Sequence, residues 1–545
     1  MRKLAASSLV IVLGLCAVAA EGCTVGEYEP PPPQGTGGQG GTGGACGSGD
    51  TTECYDGPAE TKGVGECKAG QRICAPDAFP MCEGQVLPKL EDCKQEVDTD
   101  CDTIKGCHGE PLDAAQGAAD MKDDLFYSVA VGANGVAYMV GVQAADVSAQ
   151  LGPTKGRVLF TRRAPDGDVT DWSTKLALSV GDLAYATDVA VAPNGDVAVV
   201  GLFAGTLVVG DASYASESGS ADAFLAVFDT NGDARYLKQF GDGTAQAATT
   251  VAYDSAGALY IGGAFTGSIT FGSTPFLAEG ETDGFVAAFT ADGTYRWAKV
   301  VTGAGQQVIE QVALNKNGQV FVAGRMSGGA TIGGTTLPGT ETRDAFLGRL
   351  ASENGNVVWT RVIGGSGDQA IGGLAVSPAG EVAVSGTFHK GSIDLGGPTY
   401  TNDELETSDM FLAFYSDEEG KFIRSMPAQS MGSQAGTGIA YDPVGDLLVA
   451  CVFTRSMNIG NHSFAGGTND LDTDACVFKV KGQSLEVLWA HDYGDLWPQV
   501  AAAVAASPLD GHPLLVGGFW VKLEGANPEL TSKGVNDPFV LELSP

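Results

Sequence analysis

A short apolar stretch behind an aspartate returns six times along this chain of 545 residues. Its copies read DAFLAVF (222–228), DGFVAAF (283–289), DAFLGRL (344–350), DMFLAFY (409–415), DACVFKV (474–480) and DPFVLEL (537–543). The aspartates are spaced by 61, 61, 65, 65 and 63 residues. A regular period of this length indicates a repeat architecture, in which each unit buries its apolar faces only against its neighbours.

A second landmark, two apolar strands joined by a turn, returns seven times. Copies such as DVAVAPNGDVAVVGLF (188–203) and QVALNKNGQVFVAGRM (311–326) turn at Asn-Gly, which is a β-hairpin signature. The second residues of the seven copies are Val129, Val189, Val251, Val312, Leu374, Ile439 and Val504. A further strand-like piece follows the aspartate stretch in most repeats, and four such pieces contain Trp172, Trp297, Trp359 and Trp489.

Together the landmarks predict four strands in each unit of about 62 residues. A ring of such sheets leaves only short strand edges, so we expect an all-β, seven-bladed β-propeller over residues 108–545. An open β-solenoid is the alternative, although its rungs are usually shorter. The seventh repeat stops at DPFVLELSP without a last strand. Residues 108–127 are a candidate donor for that strand, but PLDAAQGAAD is a poor strand sequence, and the donor stays open.

The recurring residues have structural interpretations. We expect each aspartate to accept backbone N–H groups in the turn before its strand, and the Phe two positions later to face the core. A glycine at the end of the second strand would leave room for that ring, at Gly201, Gly263, Gly324, Gly386 and Gly518. The sixth repeat has Cys451 where the others have this glycine and Cys476 where they have Phe. We therefore predict a disulfide between Cys451 and Cys476, with two buried free thiols as the alternative.

The N-terminus predicts export. Arg2 and Lys3 precede an apolar run, residues 9–20, that is too short for a convincing membrane-spanning helix. We interpret residues 1–22 as a signal peptide. Ordinary cleavage after Ala19 or Ala20, which would release a soluble protein, is one of two readings.

The other reading is lipidation. Gly22-Cys23 at the end of the apolar run resembles the bacterial lipobox, in which the cysteine becomes the lipidated first residue. Ala20 and Glu21 depart from the Leu and the small residue that this family prefers before its cysteine. Cys16 follows a leucine and fits less well. The resemblance implies a membrane partner reached through a lipid anchor on Cys23.

The segment after Cys23 supports an anchored protein. Residues 23–45 contain EYEPPPPQGTGGQGGTGG, a Pro- and Gly-rich tether that buries no core. By the resemblance to Gram-negative lipoproteins, Thr24 next to the cysteine does not signal retention in the inner membrane. We therefore expect the outer membrane as the location.

A cysteine-rich module occupies residues 46–107. An even number of cysteines in a short exported segment indicates four disulfides, and since eight cysteines allow 105 pairings we assign none. The eight are Cys46, Cys54, Cys67, Cys74, Cys82, Cys93, Cys101 and Cys107.

The same module raises a metal question. Its cysteine spacing over residues 53–107 and its VGECKAG stretch resemble a module of bacterial surface proteins described as a metal-binding motif. Asp98, Asp100 and Asp102 would offer carboxylates to calcium, whereas a solvated acidic loop beside a disulfide is the alternative. Thr103 stands where that family usually has Gly. Zinc would need free thiolates or histidines, which export disfavours, and metal capture, of calcium or copper, remains one functional alternative.

The repeats resemble the bacterial β-propeller repeat family called SBBP, over roughly residues 120–545. The resemblance implies the fold and almost nothing about activity. The net charge of −35 disfavours a nucleic-acid partner. The five histidines form no H-x-x-x-H pattern, and the chain has no G-x-S-x-G elbow and no Walker loop.

These observations favour a cell-surface lipoprotein whose propeller is a non-catalytic binding or scaffold domain for an envelope protein or polysaccharide, without a firm cofactor. The alternative is an extracellular hydrolase or lyase that acts on polysaccharide or peptide through carboxylates at the propeller centre.

Overall fold

The computed structural model describes residues 51–55, 62–73, 82–86, 108–117, 123–148, 152–178, 183–217, 220–340, 342–402, 407–467, 472–494 and 496–545. They fall into two compact units, one within residues 51–86 and one within residues 108–545. No helix in these ranges has the length and apolar character needed to cross a membrane.

The larger unit is a β-propeller, which confirms the predicted fold class. Within the described residues it contains seven four-stranded antiparallel sheets, numbered here in chain order, and in each the strands run from the innermost to the outermost. Sheets 1 to 3 are Asp123–Val131, Ala137–Ser148, Gly152–Arg163 and Val169–Asp171; Leu183–Val191, Val197–Ala204, Asp222–Phe228 and Ala234–Phe240; Gln246–Tyr253, Leu259–Phe265, Asp283–Phe289 and Tyr295–Thr302. Sheets 4 and 5 are Gln307–Leu314, Val320–Ser327, Arg343–Leu350 and Val357–Gly365; Asp368–Val376, Glu381–His389, Ser408–Ser416 and Phe422–Ala428. Sheets 6 and 7 are Gln434–Tyr441, Leu447–Thr454, Thr473–Val480 and Val487–Tyr493; Gln499–Ala506, Pro513–Phe519, Asp537–Leu543 and Pro111–Gln116.

The ring is closed. Each innermost strand packs against the innermost strands of both neighbouring sheets, and that of sheet 7 packs against that of sheet 1. The fourth strand of sheet 7 is Pro111–Gln116, which pairs antiparallel with Asp537–Leu543. The poor strand sequence PLDAAQ is thus the missing donor, because an available strand edge pairs with its backbone whatever the side chains. Proline at its first position costs no ladder hydrogen bond.

A small two-stranded hairpin connects the second and third strands in sheets 2 to 7. These hairpins are Thr206–Val209 with Ala212–Ala215, Ser268–Phe271 with Thr274–Leu277, Ala330–Ile332 with Thr335–Leu337, Gly391–Asp394 with Thr399–Asn402, Ser456–Ile459 with His462–Ala465, and Lys522–Leu523 with Leu530–Thr531. The hairpins of sheets 4 and 5 also pair with the outermost strand of the preceding sheet, which joins neighbouring sheets. The strand Ala177–Leu178 pairs with the hairpin of sheet 2 in the same way, and Ser173–Lys175 is a short 3-10 turn.

The core lies between the sheets, where the recurring phenylalanines are buried. Full burial of a Phe side chain stabilises the fold by about 1.5–3 kcal/mol. A methyl group on Gly263 would lie 2.7 Å from the Phe285 ring and 2.1 Å from the Ala247 carbonyl oxygen. The predicted role of this glycine is therefore correct, but the carbonyl is the closer obstacle. In sheet 7 the prediction of Gly518 is wrong by one residue, since Gly517 is the one that pairs with Phe539.

The recurring aspartates accept hydrogen bonds from two sources. Asp283 Oδ2 accepts the Glu279 N–H at 2.8 Å, and Asp344 Oδ2 accepts the Thr340 N–H at 2.6 Å, as predicted for the turn before the strand. Asp409 Oδ2 accepts Gln429 Nε2 of the fourth strand at 2.9 Å, and Asp222 accepts Gln239 Nε2. Asp537 Oδ2 accepts both kinds of donor, the Lys533 N–H at 2.5 Å and Gln116 Nε2 at 2.7 Å. The local sequence predicts the donors of the turn, whereas the side-chain donors of the fourth strand are found only in the structure.

Tryptophans of the outermost strands join neighbouring sheets. Trp297 Nε1 donates to Ser352 O at 2.8 Å and Trp359 Nε1 donates to Asp417 O at 2.9 Å, both in the turn of the next sheet. Each indole packs against a glycine of that turn, where an added methyl group would lie within 2.6 Å of the ring.

In sheet 7 no turn joins the third strand to the fourth, because the fourth strand comes from the start of the propeller. Residues at the two ends of the propeller make the equivalent contact with the tryptophan of sheet 6. Trp489 Nε1 donates to Pro545 O at 3.0 Å. Gly109, with φ +68°, takes the glycine position against the same indole. Glu110 and Ser544 exchange two hydrogen bonds beside it, at 3.0 and 2.8 Å.

The smaller unit contains the antiparallel pair Thr51–Cys54 and Gly70–Ile73. A disulfide joins Cys54 to Cys82, and Cys67 is also disulfide-bonded. Of the remaining predicted residues, Cys23, Cys46, Cys74, Cys93, Cys101, Cys107, Asp98, Asp100 and Asp102 lie outside the described residues.

Candidate functional site

The innermost strands of the seven sheets surround the axis of the ring. Every innermost strand carries a β-bulge at the equivalent position, which is Tyr127, Thr187, Thr249, Glu310, Gly372, Thr437 or Ala502. Bulges re-aim side chains and often occur beside active sites. Seven of them around one axis form a belt, called here the bulge belt.

The side chains of the bulge belt bind the next sheet. Thr187 Oγ1 donates to Ala248 O at 2.8 Å, and Thr249 Oγ1 donates to Ile309 O at 2.6 Å. Thr437 Oγ1 donates to Ala501 O at 2.7 Å. Each threonine therefore hydrogen-bonds the innermost strand of the next sheet, at the residue that precedes that strand's own bulge.

Two carboxylates lie in or beside the bulge belt. Glu310 is buried, pairs with Arg325 at 3.0 Å and accepts the Ile371 N–H of sheet 5 at 3.2 Å. Asp188 accepts Ser128 Oγ of sheet 1 at 2.6 Å and the Val251 N–H of sheet 3 at 2.8 Å.

Desolvation by burial raises the pKa of both carboxyls. A buried carboxyl with a raised pKa is the feature that would favour an enzyme. Here Asp188 and Glu310 belong to sheets 2 and 4, which are not neighbours, and each one binds donors of an adjoining sheet. Each carboxylate thus helps to hold neighbouring sheets of the ring together.

The structure also describes the predicted cysteine pair of sheet 6 and the acidic turn of sheet 2. Cys451 and Cys476 face each other in register on adjacent strands of sheet 6, and the structure joins them as a disulfide with a Cα–Cα distance of 4.8 Å. The DTNGD stretch forms a turn in which Asp229 Oδ1 accepts the N–H groups of Asn231 and Asp233. Among the described residues, no group of three or more His, Cys, Asp or Glu side chains is arranged to hold a metal ion.

The face where the innermost strands begin differs from sheet to sheet. We call it the loop face. It carries the hairpins and the connections from each outermost strand to the next innermost strand. Three of these connections read GDGTA (241–245), GAGQ (303–306) and SG (366–367), whereas the two that lead into sheets 6 and 7 read QSMGS (429–433) and GDLWP (494–498). The connections into sheets 6 and 7, which are neighbouring sheets, thus contain large apolar side chains that the other three connections lack.

These apolar side chains are exposed. Met431 is 60 % exposed, Leu496 is 79 % exposed and Trp497 is 48 % exposed. Met431 and Trp497 each lie two or three residues before an innermost strand, and those two strands, in sheets 6 and 7, pack side by side. The connections into sheets 6 and 7 are therefore neighbours on the loop face.

A residue with a strained backbone adjoins each of these two connections, at the corner between the second strand of the sheet and its hairpin. Ser456 N–H donates to Met431 O at 3.3 Å, and Trp520 N–H donates to Pro498 O at 3.1 Å. The corner residues beside these bonds are Arg455 and Val521, both with φ +58°. The equivalent corners of sheets 3 and 4 are glycines, Gly267 and Gly328, which adopt this conformation without strain. Strained backbone of this kind concentrates at functional sites.

We call Met431, Arg455, Leu496, Trp497 and Val521 the rim cluster. Sequence reasoning missed it, because each member was treated as one more repeat residue. The signal was present in the contrast between SMG or LWP and the Gly-rich connections elsewhere.

No family model and no curated protein matches the chain. Solved structures with a similar fold include a chain of a mitotic checkpoint complex, 10 % identical with a TM-score of 0.43, covering 86 % of this chain and 99 % of that one. The WD40 repeats of RRP9 are 10 % identical with a TM-score of 0.43, covering 80 % and 99 %. The Dos1 propeller is 7 % identical with a TM-score of 0.39, covering 79 % and 95 %. The propeller assignment rests on the sheet topology, and nothing about function follows from these likenesses.

Proposed function

We propose that this protein is an exported, lipid-anchored cell-surface protein whose propeller binds an envelope partner without transforming it. The observation that carries the proposal is the contrast between the two parts of the ring. The carboxylates of the bulge belt bind neighbouring sheets, whereas the rim cluster leaves large apolar side chains exposed on loops. A rigid scaffold that presents variable loops is a usual way to build a binding surface.

The anchor belongs to the N-terminal sequence. Cys23 follows the apolar run of a signal peptide and precedes the Pro- and Gly-rich tether, which supports lipidation at this residue and an outer-membrane location. A tether of this composition would hold the propeller away from the lipid surface, where a partner can reach the loop face.

Metabolic labelling with palmitate tests the anchor. We expect label in the wild type and in Cys16→Ala, and no label in Cys23→Ala. Mass spectrometry of the N-terminal peptide then determines where the mature chain begins and whether it carries a lipid. An unlipidated mature chain that begins at residue 20 or 21 would show cleavage after Ala19 or Ala20 and refute the anchor.

Affinity capture tests the binding role. Residues 24–545 and residues 108–545 are immobilised and exposed to solubilised envelope protein and to envelope polysaccharide. The shorter fragment begins at residue 108 because the closing strand Pro111–Gln116 would otherwise be lost. Saturable retention by both would place binding on the propeller. Shortened polymer in the flow-through without retention would contradict a non-catalytic role.

A further inference from the structure

The rim cluster is too small for an ordinary protein interface. A stable protein–protein interface involves roughly 20–30 residues on each side. The cluster offers four exposed apolar side chains, and the connections that lead into sheets 3, 4 and 5 are short and contain glycine. A second copy of this chain or a flat protein partner would thus find little to bury there.

Hydroxyl and amide groups adjoin the apolar side chains. Ser430, next to Met431, has its Oγ 2.8 Å from Ser456 Oγ and accepts Asn458 Nδ2 at 3.1 Å. In the adjoining sheet 5, Ser366 and Ser392 have their Oγ atoms 3.3 Å apart. Such groups act as both donors and acceptors, so the site combines an apolar surface with neutral, two-way hydrogen-bonding groups.

Charge also favours a neutral ligand. Lys522, which follows Val521, pairs with Glu524 at 3.2 Å and Glu529 at 2.9 Å. One lysine faces two glutamates, so this part of the rim carries a net negative charge and disfavours an anionic ligand. Because the chain as a whole carries −35, an anionic polymer would in addition be repelled.

From these observations we infer that the rim cluster is a binding site for a neutral polysaccharide. This inference rests on the proposed function and names its ligand class. A sugar ring has an apolar face of C–H groups and an equatorial edge of hydroxyls. The face packs on the Trp497 indole and on Leu496, while the hydroxyl edge bonds the serines and Asn458 beside Met431.

The experiment uses residues 24–545 and measures binding by titration calorimetry and affinity electrophoresis. The probes are dextran, cellohexaose and the neutral polysaccharide fraction of the producing cells, with the solubilised envelope protein of the same cells as a separate arm. Trp497→Ala and Leu496→Ser test the site. Leu277→Ser is the matched control, since Leu277 is 72 % exposed but lies on the hairpin of sheet 3. Thermal unfolding of every variant confirms that it folds.

We expect one neutral probe to bind saturably, with affinity lowered about tenfold or more by Trp497→Ala, as for a central aromatic anchor. Leu496→Ser weakens binding as well, Leu277→Ser does not, and 1 M salt leaves binding of a neutral ligand unchanged. The inference is overturned if no neutral probe binds, or if Trp497→Ala binds as the wild type does. It is also overturned if the rim variants lose a protein instead of a glycan. If the rim variants lose a protein, the proposed binding function stands and only the ligand class is wrong. If neither the polysaccharide nor the envelope protein is retained, the proposed binding function is wrong as well.

Discussion

Val521 holds a left-handed backbone conformation, φ +58°, that a β-branched side chain disfavours. Lys390 in sheet 5 has the same conformation, φ +52°, with an unbranched side chain. The equivalent residue is glycine in sheets 2 to 4. Val521 is also 46 % exposed, so full burial of its side chain does not offset the strain, which agrees with a place in a binding rim.

We expect Val521→Gly to raise the free energy of unfolding by about 0.5–1 kcal/mol, because relief of the strain exceeds the entropy that glycine adds to the unfolded chain. Urea unfolding followed by tryptophan fluorescence measures the change. Lys390→Gly is the matched control and should gain less. A loss of stability in Val521→Gly would show that the side chain is needed for packing.

Asp222 gives stability a pH dependence. It is buried, and burial, followed by the negative charges of Asp242 and Glu217, raises its pKa to about 6. The folded state thus binds this proton more tightly than the unfolded state. Its contribution is fully present below the unfolded pKa near 4 and is lost as the pH rises through 6.

We therefore expect Asp222→Asn to flatten the pH profile of stability. Between pH 4 and pH 7 the wild type should lose on the order of 2 kcal/mol relative to the variant. Asp368→Asn is the contrasting control. Although burial alone would raise the pKa of Asp368, the hydrogen bonds and the positive charge of Arg343 lower it, so its contribution is lost only as the pH falls through that lowered value. Parallel profiles of the wild type and Asp222→Asn would refute the argument.

At the scale of the element, a sheet is specified by pairs of facing residues. In five sheets a glycine on the second strand faces a phenylalanine on the third, as Gly386 faces Phe411 in sheet 5. Sheet 6 has Cys451 and Cys476 in those two places. Glycine with phenylalanine and cysteine with cysteine each fill the same space between the sheets. Cysteine opposite phenylalanine would overfill that space, and glycine opposite cysteine would leave a cavity.

The double substitution Cys451→Gly with Cys476→Phe restores the pair found in other sheets, and we expect it to fold. Cys476→Phe alone should be about 1–3 kcal/mol less stable than the double variant, because the ring then meets the Cys451 side chain. Denaturant titration measures both. Cys451→Gly alone separates the loss of the disulfide from the overpacking, and non-reducing peptide mapping tests the bond in the wild type. Equal stability of the single and double variants would contradict the packing argument.

At the scale of the whole molecule, closure depends on a strand that is distant in sequence. Pro111–Gln116 is held by its ladder, and Gln116 Nε2 bonds Asp537 Oδ2 at 2.7 Å. The buried Arg163 of sheet 1 pairs with Asp113 at 2.7 Å and with Glu542 at 2.5 Å. Both chain ends of the propeller are thus tied to sheet 1.

We expect residues 118–545 to lose cooperative unfolding or to self-associate, since removal of the closing strand exposes the edge of Asp537–Leu543. Residues 108–545 should unfold cooperatively as a monomer. Size-exclusion chromatography and calorimetry compare the two fragments. A monomeric 118–545 fragment with an unchanged midpoint would show that the fourth strand is dispensable.

The sequence by itself determined the repeating hairpins, the all-β class, the buried aspartates and the pairing of a glycine with a phenylalanine. These features are local, since turn chemistry and strand periodicity act over a few residues and a repeat displays them several times. Only the tertiary structure decided that PLDAAQ closes the ring, which donor each aspartate receives, and that Glu310 and Asp188 bind neighbouring sheets. It also brought SMG and LWP together at one rim. Each of these depends on residues that are far apart in the chain and meet because the ring closes, and no local pattern encodes such a meeting.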